Sequence, residues 1–81
     1  MQKPKILKDH EEYWQILVES AETQELKAYL EKESKLSFGK HQDAITGNTS
    51  LDLLNIDKDS IEEKELQLIL DKFTAGRKYA F

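Results

Sequence analysis

Asp57 and Asp59 stand one residue apart, with Glu62, Glu63 and Glu65 close behind. Carboxylates at alternate positions are how a loop presents oxygen ligands to a hard divalent cation such as Ca2+. These two aspartates are therefore the candidate metal ligands of the chain. The same stretch has a second reading that needs no metal. Ser60 followed three residues later by Glu63 is a capping box, in which the hydroxyl accepts from the N3 amide and the carboxylate reaches back to the N-cap amide. Acidic residues there suit the positive end of a helix dipole.

A twelve-position calcium loop separates the two readings. Counted from Asp57, Asp59 takes the third position, but Ile61, Glu62 and Leu68 fall where a ligand, a turn glycine and a bidentate Glu are needed. Counted from Asp52, Glu63 reaches the last position, but Leu54 and Ile56 occupy ligand positions. "IDKD" with "SIEEKELQLIL" nevertheless resembles the loop and exiting helix of an EF-hand of the parvalbumin kind, with about three loop residues missing. "ELKAYLEKE" is similar to another exiting helix, without an acidic loop before it. The resemblance implies a degenerate EF-hand-like module with weak or no calcium binding. "GNTSLDLL" is similar to the Gly-x-x-Ser-Leu of acyl carrier proteins, whose Ser carries phosphopantetheine and would here be Ser50. That family continues in a long helix, which Asn55, Asp57 and Asp59 interrupt; the plainer reading is a Ser at a cap or turn.

Other chemistry is thinly represented. His10 lacks the second His that a zinc-protease helix carries four residues later, and His41 sits near Asp43. There is no cysteine, which excludes a disulfide framework and a thiolate zinc site. No serine lies in a nucleophile elbow, and Gly39 and Gly47 do not form a phosphate-cradling loop. The carboxylates are spread over helix faces rather than paired among apolar residues. Asn48-Thr49-Ser50 fits a glycosylation acceptor, but no secretion signal accompanies it. The expectation is a protein that is not an enzyme and holds no cofactor.

Contact chemistry is better represented. The tail "GRKYAF" supplies Arg77, Lys78, Tyr79 and Phe81, drawn from types that enrich interface hot spots. With Tyr13 they are the candidate partner-binding residues. The alternative for Phe81 is to fold back onto the core. Of the adjacent Tyr13 and Trp14, one is expected to face the core and the other to turn outward.

The elements that must position these residues read as mostly α: a small bundle of about three helices with an irregular middle. Residues 1–8 read as a flexible leader, 9–76 as a single helical domain and 77–81 as a basic, aromatic tail. Asp9 is the expected first N-cap, and Trp14, Leu17, Val18 and Ala21 follow helical spacing. Leu26, Tyr29 and Leu30 continue it slightly out of phase, so either one helix curves or a second begins with Thr23 as N-cap; two helices fit better. Between residues 43 and 54 either a short β-hairpin turns at Gly47-Asn48 or Ser50 caps a short helix. Leu51, Leu53, Leu54 and Ile56 are expected to fill the core in either case. Leu66, Ile69, Leu70 and Phe73 form the clearest helical stripe, with Gly76 at C′. The expected core is Trp14, Leu17, Val18, Leu26, Leu30, Leu54, Leu66, Ile69, Leu70 and Phe73.

With 81 residues there is material for one domain and little room for a deep site. Twelve basic and 16 acidic residues give a net charge of −4. That balance disfavours phosphate-driven nucleic-acid binding, an alternative that would require Lys3, Lys5, Lys8, Arg77 and Lys78 on one face. No apolar run suits a membrane span and the basic N-terminus lacks a signal peptide's apolar stretch, so cytoplasmic residence is expected. Taken together, the residues read as a small acidic protein-binding module, a regulator, inhibitor or adaptor whose partner offers a basic surface to Glu11, Glu12, Glu62, Glu63 and Glu65. A homodimer is also open to a chain this small, because self-association hides leftover apolar surface.

Overall fold

Tyr13–Glu19, YWQILVE, combines aromatic and branched side chains that suit a pleated surface, and it forms a strand rather than a helix. The computed structural model describes residues 2–40, 42–46, 49–77 and 79, with residues 42–46 and 49 described by backbone alone. In chain order the elements are β1 (Lys5–Leu7), β2 (Tyr13–Glu19), a 3-10 turn (Ser20–Glu22), α1 (Thr23–Glu33), β3 (Gln42–Thr46), β4 (Thr49–Asp57) and α2 (Glu63–Thr74). The strands make one antiparallel sheet in the order β1-β2-β4-β3. The expected three-helix bundle is therefore corrected to an α+β fold, an antiparallel sheet with two helices. The helical spacing of Trp14, Leu17, Val18 and Ala21 misleads because β2 is apolar on both faces, and such a run contains a helical spacing by accident.

The register sorts the side chains. Trp14 pairs with Ile56, Ile16 with Leu54 and Val18 with Asp52 on one face. Tyr13 pairs with Asp57, Gln15 with Asn55, Leu17 with Leu53 and Glu19 with Leu51 on the other. Both helices cover the first face. Leu26 and Leu30 of α1, and Leu66, Ile69, Leu70 and Phe73 of α2, share one buried cluster with Ile6, Ile16, Val18, Leu54, Ile56 and Ile61. Trp14 packs against that cluster, half-buried, with Nε1 donating to the Ile61 carbonyl at 2.9 Å. Leu17 and Leu53, both expected inside, lie half-buried on the opposite face. The eight residues read as a leader include β1 and core residue Ile6.

The helix ends show which sequence signals acted. The Ser60–Glu63 capping box does not form. Ser60 Oγ donates instead to the Asp57 carbonyl at 2.7 Å, Ile61 is buried, and α2 starts only at Glu63. The turn that leaves β4 takes the hydroxyl that a cap would use. Asp9 caps nothing, because strand β2 follows it. α1 begins at Thr23, one residue after its N-cap Glu22. Gly76 has φ +81°, the left-handed conformation expected at C′.

β3 and β4 are joined through residues 47 and 48, which lie outside the described residues; Thr46 pairs with Thr49 across that connection, so the segment is a hairpin. Upstream, Phe38 bridges Ile56, with the Gly39 N–H donating to Asn55 O at 2.7 Å and the Asp57 N–H to Ser37 O at 2.8 Å. From that bridge to the Gln42–Leu53 pair the outer strand takes four steps and β4 takes three. One extra residue is thus accommodated as a bulge.

Candidate protein-contact surface

Antiparallel sheets commonly leave one face to water, with polar residues on it. Here that face carries half-buried Leu7, Leu17 and Leu53 from three adjacent strands, with buried Leu51 alongside. Its other end is polar and tightly built. Gln15 Nε2 donates to Asn55 Oδ1 at 2.9 Å, and Asn55 Nδ2 donates to the Lys40 carbonyl at 2.6 Å, pinning the bulge. Tyr13 lies across Gly39, where an added Cβ would come within 2.7 Å of the ring. His10 flanks Tyr13 at 5.0 Å between ring centroids, and its Nδ1 accepts from the N–H groups of Glu12 and Tyr13.

Beyond Tyr13 the face runs into an acidic end. The loop before β2 and the turn after β4 are tied by the Lys58 N–H donating to Glu12 O at 3.1 Å. Together, residues 8–12 and 57–63 bring Asp9, Glu11, Glu12, Asp57, Asp59, Glu62 and Glu63 to that end against Lys8 and Lys58. The excess of carboxylates there is five, while the whole chain carries −4, so the rest of the molecule is close to neutral. Both lysines are already engaged. Lys8 pairs with Glu63 at 2.8 Å, and Lys58 lies 4.8 Å over the Trp14 ring.

The candidate metal ligands fall in this acidic end. Asp57 closes β4 and Asp59 is exposed in the following turn, so a strand rather than a helix leads into the loop. Among the described residues no group of three or more His, Asp or Glu is placed to hold a metal ion. His41 lies outside the described residues, as do Lys78 and Phe81.

The candidate contact residues separate. Tyr13 borders the open face, while Arg77 and Tyr79 lie on the helical side, engaged within the chain. Arg77 Nη1 reaches Glu22 Oε2 at 3.2 Å, Nη2 reaches Glu25 Oε1 at 2.5 Å and Nε donates to Phe73 O at 3.0 Å. The guanidinium stands 4.1 Å over the Phe73 ring, and the Tyr79 hydroxyl donates to Glu22 Oε2 at 3.2 Å. The hydrogen bond and charge of Arg77 hold the Glu25 carboxyl below its ordinary value. Burial first, and the Glu22 carboxylate second, push Tyr79 up to about 12.

Sequence reasoning missed Leu7, Leu17 and Leu53 as a surface, Gln15, Asn55 and Gly39 as its frame, and Glu22 and Glu25 as the anchors of the tail. The first group had no clean local signal, because YWQILV is apolar at every position but Gln15. Gly39 and Glu22 act through partners far along the chain and carry no local signal. No helix among the described residues is long and apolar enough to cross a membrane, and none of them lines a pocket. No protein-family model, no curated protein and no solved structure matches this chain.

Proposed function

We propose that this chain is a non-enzymatic, cytoplasmic protein-binding module, a regulator or inhibitor that docks by the open face of its sheet. The partner it suits offers an apolar surface with a basic margin. One observation carries the reading: the helices cover a single face of the sheet, and the other face presents Leu7, Leu17 and Leu53 beside an end that holds the molecule's excess of carboxylates. Covering the surface that the three leucines still leave in water contributes about 3 kcal/mol. That is too little alone against the cost of association. The acidic end supplies steering toward the basic margin, and Tyr13 and Gln15, held in place by Gly39 and buried Asn55, supply polar contacts.

The test begins with a protein captured from the source cells and then produced in pure form. Titrated into the isotope-labelled chain, it should shift the amides of Leu7, Gln15, Leu17, Leu53 and Asn55. A Leu17→Asp, Leu53→Asp double variant should stay folded and lose binding at least tenfold, and added salt should slow association. A footprint confined to α1 and α2, or undiminished binding by the double variant, would overturn the proposal.

A further inference from the structure

Glu22 is 4% exposed, and its Oε1 is buried without a hydrogen-bond partner among the described residues. An unsatisfied carboxylate oxygen in such a place is costly. It stands where the 3-10 turn passes into α1, with Glu25 one turn further on and the Phe73 ring of α2 under the same Arg77 guanidinium. The surrounding groups match one chemical species. An aromatic face takes a planar cation, two carboxylates and a main-chain carbonyl take its N–H groups, and a guanidinium fork fits such a set better than a compact ammonium.

We propose that this cradle is a guanidinium-binding site, occupied in the resting chain by its own Arg77 and able to accept an arginine side chain of a partner when that occupant leaves. The resident fit is incomplete. Arg77 divides its fork between Glu22 and Glu25, and its Nε is held by the carbonyl of Phe73, so Glu22 uses one oxygen and keeps the other unfilled. An untethered guanidinium can turn two N–H groups onto both oxygens of Glu22. Departure of the occupant is easy to accommodate, because the Arg77 side chain is already 34% exposed and Gly76, at φ +81°, lets the chain just before it take other backbone conformations without a Cβ clash. The tether keeps the resident arginine at an effective concentration on the order of millimolar. A competitor must exceed that in the intact chain. The site lies on the helical side of the molecule, so it stands or falls independently of the open-face reading.

The test uses the full chain with Arg77→Ala and follows amide shifts on titration with methylguanidinium, with methylammonium as the comparison cation. Saturable shifts at Ala21–Glu25 and Phe73–Thr74 are expected with methylguanidinium, at least tenfold weaker response with methylammonium, and at least tenfold weaker response of the wild-type chain to either. Adding Glu22→Gln should remove the response. If Arg77→Ala does not fold, Arg77→Lys, which keeps a cation on the tail but loses the fork, takes its place. A folded variant that gives no shifts, equal responses to the two cations, or a wild-type chain that responds as strongly as the variant would each overturn the inference.

Discussion

The two faces of the sheet are built from the same strands and differ in what covers them. On the covered face Ile16 and Ile56 are 0% exposed and lie under both helices. On the open face Leu17 and Leu53, their near neighbours in sequence, remain half-buried with no helix over them. A small domain has little margin of stability, and here the residues that hold it together are separated by one pleat from those available for contact. If the open face docks as proposed, stability and recognition can be damaged independently, by substitutions one residue apart.

The largest effect expected is on the covered side. Ile16→Ala opens a cavity among Ile6, Leu54 and the helices and should cost about 2–5 kcal/mol in urea unfolding. Leu17→Ala should cost less, about 1–2 kcal/mol, since its side chain is only half-buried. Equal losses would mean that the open face is structural and would erase the distinction between the faces.

A polar group on the covered face sharpens the contrast. Asp52 is buried, accepting from Thr23 Oγ1 at 2.6 Å and Ser20 Oγ at 3.1 Å. It fastens the start of α1 to β4. Asp52→Ala leaves the fully buried Thr23 without that acceptor and should cost about 1–3 kcal/mol in the same assay. Asp52→Asn keeps an acceptor and should cost less.

How far this was legible follows from the same geometry. α2 is amphipathic on one side, so Leu66, Ile69, Leu70 and Phe73 declare both the helix and its buried face. β2 is apolar on both faces, so its pattern fits a helix and a strand alike; only the strand alternation of Trp14, Ile16 and Val18 matched the covered side. The hairpin was visible at Gly47-Asn48 as one of two alternatives, because its turn residues are local. Of the proposed contact surface, Tyr13 was legible as a spare aromatic and the carboxylates as an acidic bias. The rest depends on pairings such as Leu17 with Leu53 and Gln15 with Asn55, set by register across about 40 positions of chain. Ser60 shows the converse: a correct local motif overridden by a turn and by the burial of Ile61.

The frame of the open face has a smaller, specific test. Gly39→Ala places a methyl group against the Tyr13 ring and within 3.2 Å of Asn55 Cβ. The ring must swing aside, at about 1–2 kcal/mol. Tyr13→Ala should remove most of that cost, so a double-mutant cycle should show strong coupling. Additive effects would mean that Tyr13 does not lie on Gly39 in solution.

The smallest effect concerns the helical side and reports on the tail. Tyr79 is raised from its ordinary 10.0 to about 12. Between those values the folded chain keeps a proton that the unfolded chain has released. Stability therefore declines as pH rises through that window, with the full contribution present below about 10 and gone above about 12. Tyr29 is also raised, by burial and then by the charge of Glu33, so part of the decline belongs to it. Tyr79→Phe should flatten the decline without abolishing it, and ultraviolet titration should lose its latest tyrosinate step. A Tyr79 that ionises near 10 would mean that its hydroxyl is not seated against Glu22. That measurement reports on Tyr79 alone, since Arg77 holds Glu22, Glu25 and the Phe73 carbonyl through contacts of its own.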